Sequence, residues 1–126
     1  MIDHVTFYIK DMQTSLLFYD AALSPLGYTR KVEMIDDGYQ VVGYGGTRPH
    51  FWIVEVEQGD EITHGLHIAL SANSRRAVDA FYQDGLSHGG KDNGAPGLRT
   101  TYSDDYYAAF LHDPDGNNIE AVTFDV

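Results

Sequence analysis

The chain has 126 residues, 43% hydrophobic and 21% charged, a balance that fits one globular domain or two half-size modules sharing a core. It contains no Cys, which excludes disulfides and thiolate metal sites and favours a reducing compartment. A net charge of −11, from 19 acidic against 8 basic residues, argues against a nucleic-acid partner, and no apolar run is long enough for a membrane-spanning helix.

In chain order, Met1-Ile2-Asp3-His4 lacks the basic-then-apolar order of a signal peptide, so a cytoplasmic location is expected. Val5, Phe7 and Ile9 then alternate with His4, Thr6 and Tyr8, the period of a half-buried strand. Asp11 is a helix N-cap, followed by Met12, Leu16, Tyr19 and Leu23 at helical spacing, and Gly27 closes the segment. Three strands are predicted next, near Thr29–Met34, Tyr39–Tyr44 and His50–Val56, with Asp37-Gly38 and Gly45-Gly46 as turns. Gln58–Thr63 reads as a short acidic link.

The second half repeats the first. A shift of 63 positions carries His4 onto His67, and five further identities follow: Phe18 with Phe81, Tyr19 with Tyr82, Leu23 with Leu86, Ser24 with Ser87, and Gly27 with Gly90. Leu66, Ile68 and Leu70 alternate with Gly65, His67 and Ala69 as a strand, Ser74 caps the second helix, and Ala77, Val78 and Phe81 give its apolar face. Three strands are expected here too, and Ala95-Pro96-Gly97 opens a loop near Leu98–Tyr102. Tyr106–His112 and Asn118–Thr123 form a hairpin across Asp113-Pro114-Asp115-Gly116-Asn117. The predicted plan is βαβββ twice, an α+β domain of mostly antiparallel sheet curved around a concave site, with modules of about 1–57 and 64–126.

His4 and His67 both fall on the non-apolar face of equivalent strands. Modules packed with their sheets side by side would bring the two together. Glu120 alternates with Ile119 and Ala121 and can point to the same surface. Two imidazoles and one carboxylate with open positions suit Fe(II) or Mn(II), and the donors also suit Zn(II) or Ni(II). Trp52, Tyr102, Tyr106, Tyr44 and Arg99 are candidates to line the cavity, with Arg99 as a carboxylate or phosphate clamp that so acidic a chain would need for an anionic substrate. His64, His88 and His112 read as surface residues.

The opening His4-Val5-Thr6-Phe7, the Phe18-Tyr19 helix and the ending Asp113-Pro114-Asp115-Gly116-Asn117-Asn118-Ile119-Glu120 resemble the vicinal oxygen chelate superfamily. That superfamily includes glyoxalase I, extradiol dioxygenases, and fosfomycin and bleomycin resistance proteins. The resemblance implies a divalent metal held by His4, His67 and Glu120 and chelated by vicinal oxygens of a small substrate, in a chain that forms homodimers. Two departures accompany it. Trp52 stands opposite Glu120 where relatives with four protein ligands carry an acid, leaving His50 as the nearby substitute. Phe110, with Thr101, Tyr102 and Ser103 before it, replaces the Tyr and His of ring-cleaving relatives.

The reading that follows is a metal-dependent enzyme of glyoxalase type, a lyase or isomerase with Glu120 as proton carrier. The alternatives are a metal-free, bleomycin-resistance-like dimer that binds a planar ligand, and then an extradiol dioxygenase.

Overall fold

The computed structural model describes residues 1–126. In chain order it contains β1 (Val5–Ile9), α1 (Met12–Leu23), β2 (Thr29–Asp36), β3 (Tyr39–Gly45) and β4 (Pro49–Glu55), then β5 (His67–Ser71), α2 (Arg75–Ser87), β6 (Lys91–Leu98), β7 (Tyr107–His112) and β8 (Asn118–Thr123). The βαβββ order therefore occurs twice. Each half makes one four-stranded sheet, ordered β1-β4-β3-β2 and β5-β8-β7-β6. The first and last strands of each half pair in parallel, and the other pairs are antiparallel. No helix is long and apolar enough to cross a membrane.

Local chemistry sets the helix ends. The Asp11 carboxylate accepts from the Gln13 amide, the Ser74 hydroxyl oxygen accepts from the Ala77 amide, and Gly27 closes the first helical segment at φ 84°, where a side chain would be strained. Alternation sets the buried strand faces. Phe7 and Ile9 on β1, Ile53 on β4, Leu111 on β7, and Ile119 and Ala121 on β8 are all fully buried. They join Phe18, Tyr19, Val78 and Phe81 of the helices in a single core that spans both halves.

The helices meet at close range. A Cβ on Gly85 would lie 2.5 Å from Leu111, 3.2 Å from Ala22 and 3.3 Å from Phe18, and one on Gly90 would lie 2.6 Å from the Phe18 ring. The two modules are thus joined through α1 and α2, and each sheet turns its other face outward.

One predicted boundary is overturned. Ala95-Pro96-Gly97 is part of strand β6, and Leu98 ends that strand, while residues 99–105 form turns. Strand β6 lies at the edge of its sheet, so Pro96 has a solvent side for its missing donor. Two register shifts against β7 absorb Gly94 and its neighbours.

The Asp113–Asn117 turn anchors the second hairpin. Asp113 accepts from the amides of Asp115 and Asn117, from the Asn117 side chain and from the Tyr19 hydroxyl of α1. Asn117 in turn accepts from the Leu66 amide and donates to the Thr63 carbonyl, tying the turn to the segment between the modules. Both Asp113 and Asn117 are buried. Asn117→Ala should therefore lower the free energy of unfolding by about 2–4 kcal/mol, because it strands several buried partners at once. Urea denaturation reads this directly, and a loss under about 0.5 kcal/mol, the level of an ordinary surface change, would refute it.

Candidate functional site

Since Ile119 and Ala121 face the core, Glu120 is turned to the outer side of the second sheet. It is nevertheless only 1% exposed. Its cross-strand neighbours are Phe110 on β7 and Ala69 on β5. His67 Nε2 lies 2.9 Å from Glu120 Oε1, and the Tyr106 hydroxyl donates to Glu120 Oε2. Burial first, then the hydrogen bond to Glu120 and its charge, push the Tyr106 phenol up to about 12. Tyr106 therefore remains a donor throughout the neutral range and fixes the carboxylate's orientation. The Tyr102 ring packs at a tilt, 4.9 Å from the Tyr106 ring, and Phe124 packs edge-on against Tyr106.

The His67–Glu120 contact is a hydrogen bond of ordinary length, and the same spacing is compatible with two neighbouring metal ligands. Two donors each about 2.1 Å from a cation and at right angles sit about 3 Å apart. The observed separation is 2.9 Å, and the second carboxylate oxygen is already oriented from outside, the arrangement that positions metal-binding carboxylates.

His4 does not join them. It sits just ahead of β1, with its Nδ1 2.8 Å from Asp3 Oδ1, while Arg48 Nη2 approaches Asp3 Oδ2 at 2.8 Å. The hydrogen bond from His4, reinforced by the Arg48 charge, holds the Asp3 carboxyl below the usual carboxylate range. No group of three His or carboxylate side chains gathers at ligating distance. The expected convergence of His4, His67 and Glu120 within one copy is thus overturned, because the modules pack through their helices rather than with their sheets side by side.

His4 instead borders a cavity of about 530 Å³ on the outer face of the first sheet, together with Thr6, Tyr8, Met34, Trp52 and Val54. Trp52 is the structural counterpart of Glu120. It pairs with Thr6 as Glu120 pairs with Ala69, and Thr6 and Ala69 are repeat equivalents. Its other neighbour is Gly43, where a Cβ would fall 2.8 Å from the indole. That glycine lets the indole lie down across β3.

The remaining predicted residues divide. His50 is exposed, and its Nδ1 donates to the Asp3 carbonyl at 2.9 Å. Tyr44 is 1% exposed in the core, with its hydroxyl donating to Asp20 beside Arg30. Its expected place in the cavity is overturned, since the β3 alternation points it to the helices. Arg99 donates from Nη1 to the Gly97 carbonyl at 2.9 Å and from Nη2 to the Ala95 carbonyl at 2.7 Å. Its guanidinium carbon lies 5.3 Å from the Phe110 ring centre. Sequence reading missed Asn118, which precedes Glu120 by two residues and so shares its side of β8. Its Oδ1 is buried without a hydrogen-bond partner, a cost of about 1–3 kcal/mol of the kind tolerated beside binding sites. The in-phase position on β8 was the available signal.

The model of the glyoxalase/bleomycin resistance protein/dioxygenase superfamily matches residues 1–121. The chain belongs to that superfamily. A crystal structure of a glyoxalase/bleomycin resistance protein from Albidiferax ferrireducens is similar at 31% identity, with 95% of each chain covered and a TM-score of 0.73. A glyoxalase I variant from Zea mays superposes with a TM-score of 0.76 at 20% identity, over 96% of this chain and 46% of the maize one. A glyoxylase/bleomycin resistance protein/dioxygenase domain from Frankia sp. superposes with a TM-score of 0.72 at 18% identity, over 97% and 95% of the two chains. No curated protein matches.

The fit between Gly43 and Trp52 is open to direct test, because Trp52 is the only tryptophan. Gly43→Ala should displace the indole, shift its fluorescence emission and cost about 1–3 kcal/mol by overpacking. Unchanged emission would show that the ring is not held there.

Proposed function

We propose that this superfamily member is a divalent-metal-dependent enzyme acting on a small oxygenated substrate, a lyase or isomerase of glyoxalase type. Each site would be assembled from two copies of the chain. The carrying observation is the buried Glu120 carboxylate, 2.9 Å from His67 Nε2 and oriented by Tyr106, with the spacing of two neighbouring metal ligands. His67, Glu120 and His4 of a second copy would hold the cation, whether Fe, Mn, Zn or Ni. The metal supplies Lewis-acid polarisation of a substrate carbonyl.

The chain's own residues account for the rest. Glu120 is the buried carboxylate of this face; Tyr106 holds its Oε2, and Oε1, the oxygen beside His67, would have to leave the cation in order to accept a substrate proton. Trp52 supplies an apolar wall, and a cavity of about 530 Å³ is of ligand-binding size. The need for a second copy follows from the separation of His4 from the His67–Glu120 pair. A two-fold pairing brings the first sheet of each copy to the second sheet of the other.

Ring cleavage of a catechol is disfavoured, since Phe110 beside Glu120 has no proton to exchange. One observation favours a second reading, a metal-free dimer that binds a planar ligand: the counterpart of Glu120 in the first sheet is the aromatic Trp52, facing the cavity.

Mixing two inactive variants tests the proposal. His4→Ala and Glu120→Gln homodimers should each lose bound metal and turnover. Unfolded and refolded together, they should regain about a quarter of the wild-type metal, because half of the random dimers carry one intact site of two. Elemental analysis reads the outcome. Full metal retention in either variant alone, or no recovery on mixing, would exclude the shared site. A metal-free wild type whose Trp52 fluorescence is quenched by planar ligands would support the binding reading instead.

A further inference from the structure

We infer that the outer face of the second sheet receives an anionic group of the substrate, a carboxylate or a phosphate, on the guanidinium of Arg99. This rests on the reading of that face as a substrate site, and it adds the chemical class of what enters.

Three of the five arginines, Arg75, Arg76 and Arg99, take part in no ion pair, and of these Arg99 is the one set against Phe110, the neighbour of Glu120 on the outer face of the second sheet. Arg30 pairs with Asp20 and Glu33, and Arg48 pairs with Asp3. Arg75 donates to the Asp125 carbonyl and lies over the Tyr107 ring. Arg99 takes part in none of the chain's ion pairs, although 19 acidic residues are available. It is half-buried, and removing a cation from water without a counter-charge is unfavourable.

The surroundings hold the group still without neutralising it. Two backbone carbonyls fix its two terminal nitrogens. That uses two of the five N–H donors and leaves three for a ligand in the planar fork that matches carboxylate and phosphate oxygens. The strand leaves room for it, since a Cβ at Gly94 would lie 3.1 Å from Arg99 Nη2 and 3.1 Å from Phe110, and one at Gly97 would lie 3.3 Å from Nη1. Gly94 has φ 145°, a conformation that resists substitution as well.

Phe110 connects this cation to the His67–Glu120 pair. Its ring centre is 5.3 Å from the guanidinium carbon and 6.2 Å from the imidazole centre, and it is the cross-strand partner of Glu120. The accessible group at the other side of Phe110 is the His67 imidazole, 52% exposed, so the ligand's anionic end is assigned to Arg99 and the rest of it to the Phe110 and His67 side of this face. In a chain of net charge −11, a local unpaired cation is also what an anion requires in order to approach.

Nitrogen-15 chemical-shift titration of the purified wild-type protein tests this, with propionate, inorganic phosphate and uncharged propionamide as separate probes. Propionate or phosphate should give saturable shifts at the Arg99 side-chain N–H and the Gly94 and Gly97 amides, and propionamide should not. The tighter anion identifies the substrate's group. Arg99→Gln should weaken that anion about tenfold or more, and Arg99→Lys should restore part of the affinity. An Arg99→Gln protein with a wild-type Tm and unchanged anion affinity would overturn the inference. So would the absence of wild-type shifts at positions 94, 97 and 99 with both anions, a result that needs no variant to fold. Metal content measured on the same samples separates the two readings. Metal retained without anion binding sinks only the anion site, and anion binding without metal sinks only the metal enzyme.

Discussion

The packing of α1 against α2 is the constraint from which the rest of the arrangement follows. Gly85 and Gly90 bring Phe18 and Ala22 of one module against the other module's helix and Leu111 at distances that no larger side chain would permit. A glycine inside a helix costs roughly 0.5–1 kcal/mol relative to alanine, so Gly85 is tolerated for the close approach it allows. One shared core results, and its apolar area is the main stabilising term for the chain. Once both modules commit their apolar faces to that core, both polar sheet faces are left outward, and His4 is parted from His67 and Glu120.

On the second of those faces, precision comes from a structural turn as much as from the site itself. Asp113 and Asn117 bind α1, the inter-module segment and each other. The start of β8 is thereby held against β5, where Asn118 donates its amide to the Leu66 carbonyl. Strand alternation then leaves Glu120 no choice of side, because Ile119 and Ala121 are fully buried. Tyr106 fixes the last degree of freedom, the rotation of the carboxylate.

Patterns with a local cause were legible in the sequence. The alternation in Val5–Ile9 and Asn118–Thr123, the Asp11 and Ser74 caps, the Asp113–Asn117 hairpin and the doubled βαβββ order each depend on neighbouring residues, and each is present in the structure. The pairing of Trp52 with Glu120 as module counterparts was legible for the same reason. What sequence did not disclose depends on tertiary context. Strand β6 contains Ala95, Pro96 and Gly97, residues that read as a loop, and it survives because it is an edge strand with bulges. Tyr44 carries a polar tip that suggested a cavity, yet Asp20 satisfies that tip from α1 and lets the ring stay in the core. The choice of helix-to-helix over sheet-to-sheet association turns on Gly85, whose meaning appears only beside Leu111 and Phe18.

The two modules have diverged in complementary ways. At equivalent positions the first sheet carries Trp52 beside Gly43, and the second carries Glu120 beside Phe110. The small residue accompanies the large aromatic, and the aromatic flanks the carboxylate. A wide cavity with an indole and a histidine at its edge therefore occupies one face, while a buried carboxylate, a second histidine and an unpaired guanidinium occupy the other. The cavity of the first face also carries Asp3, Asp36, Asp37 and Arg48, while the second face gathers its polar groups around Glu120. Because both modules commit their apolar faces to one shared core, the two sets of groups are held apart within the chain, His4 and Trp52 on one face and His67 and Glu120 on the other.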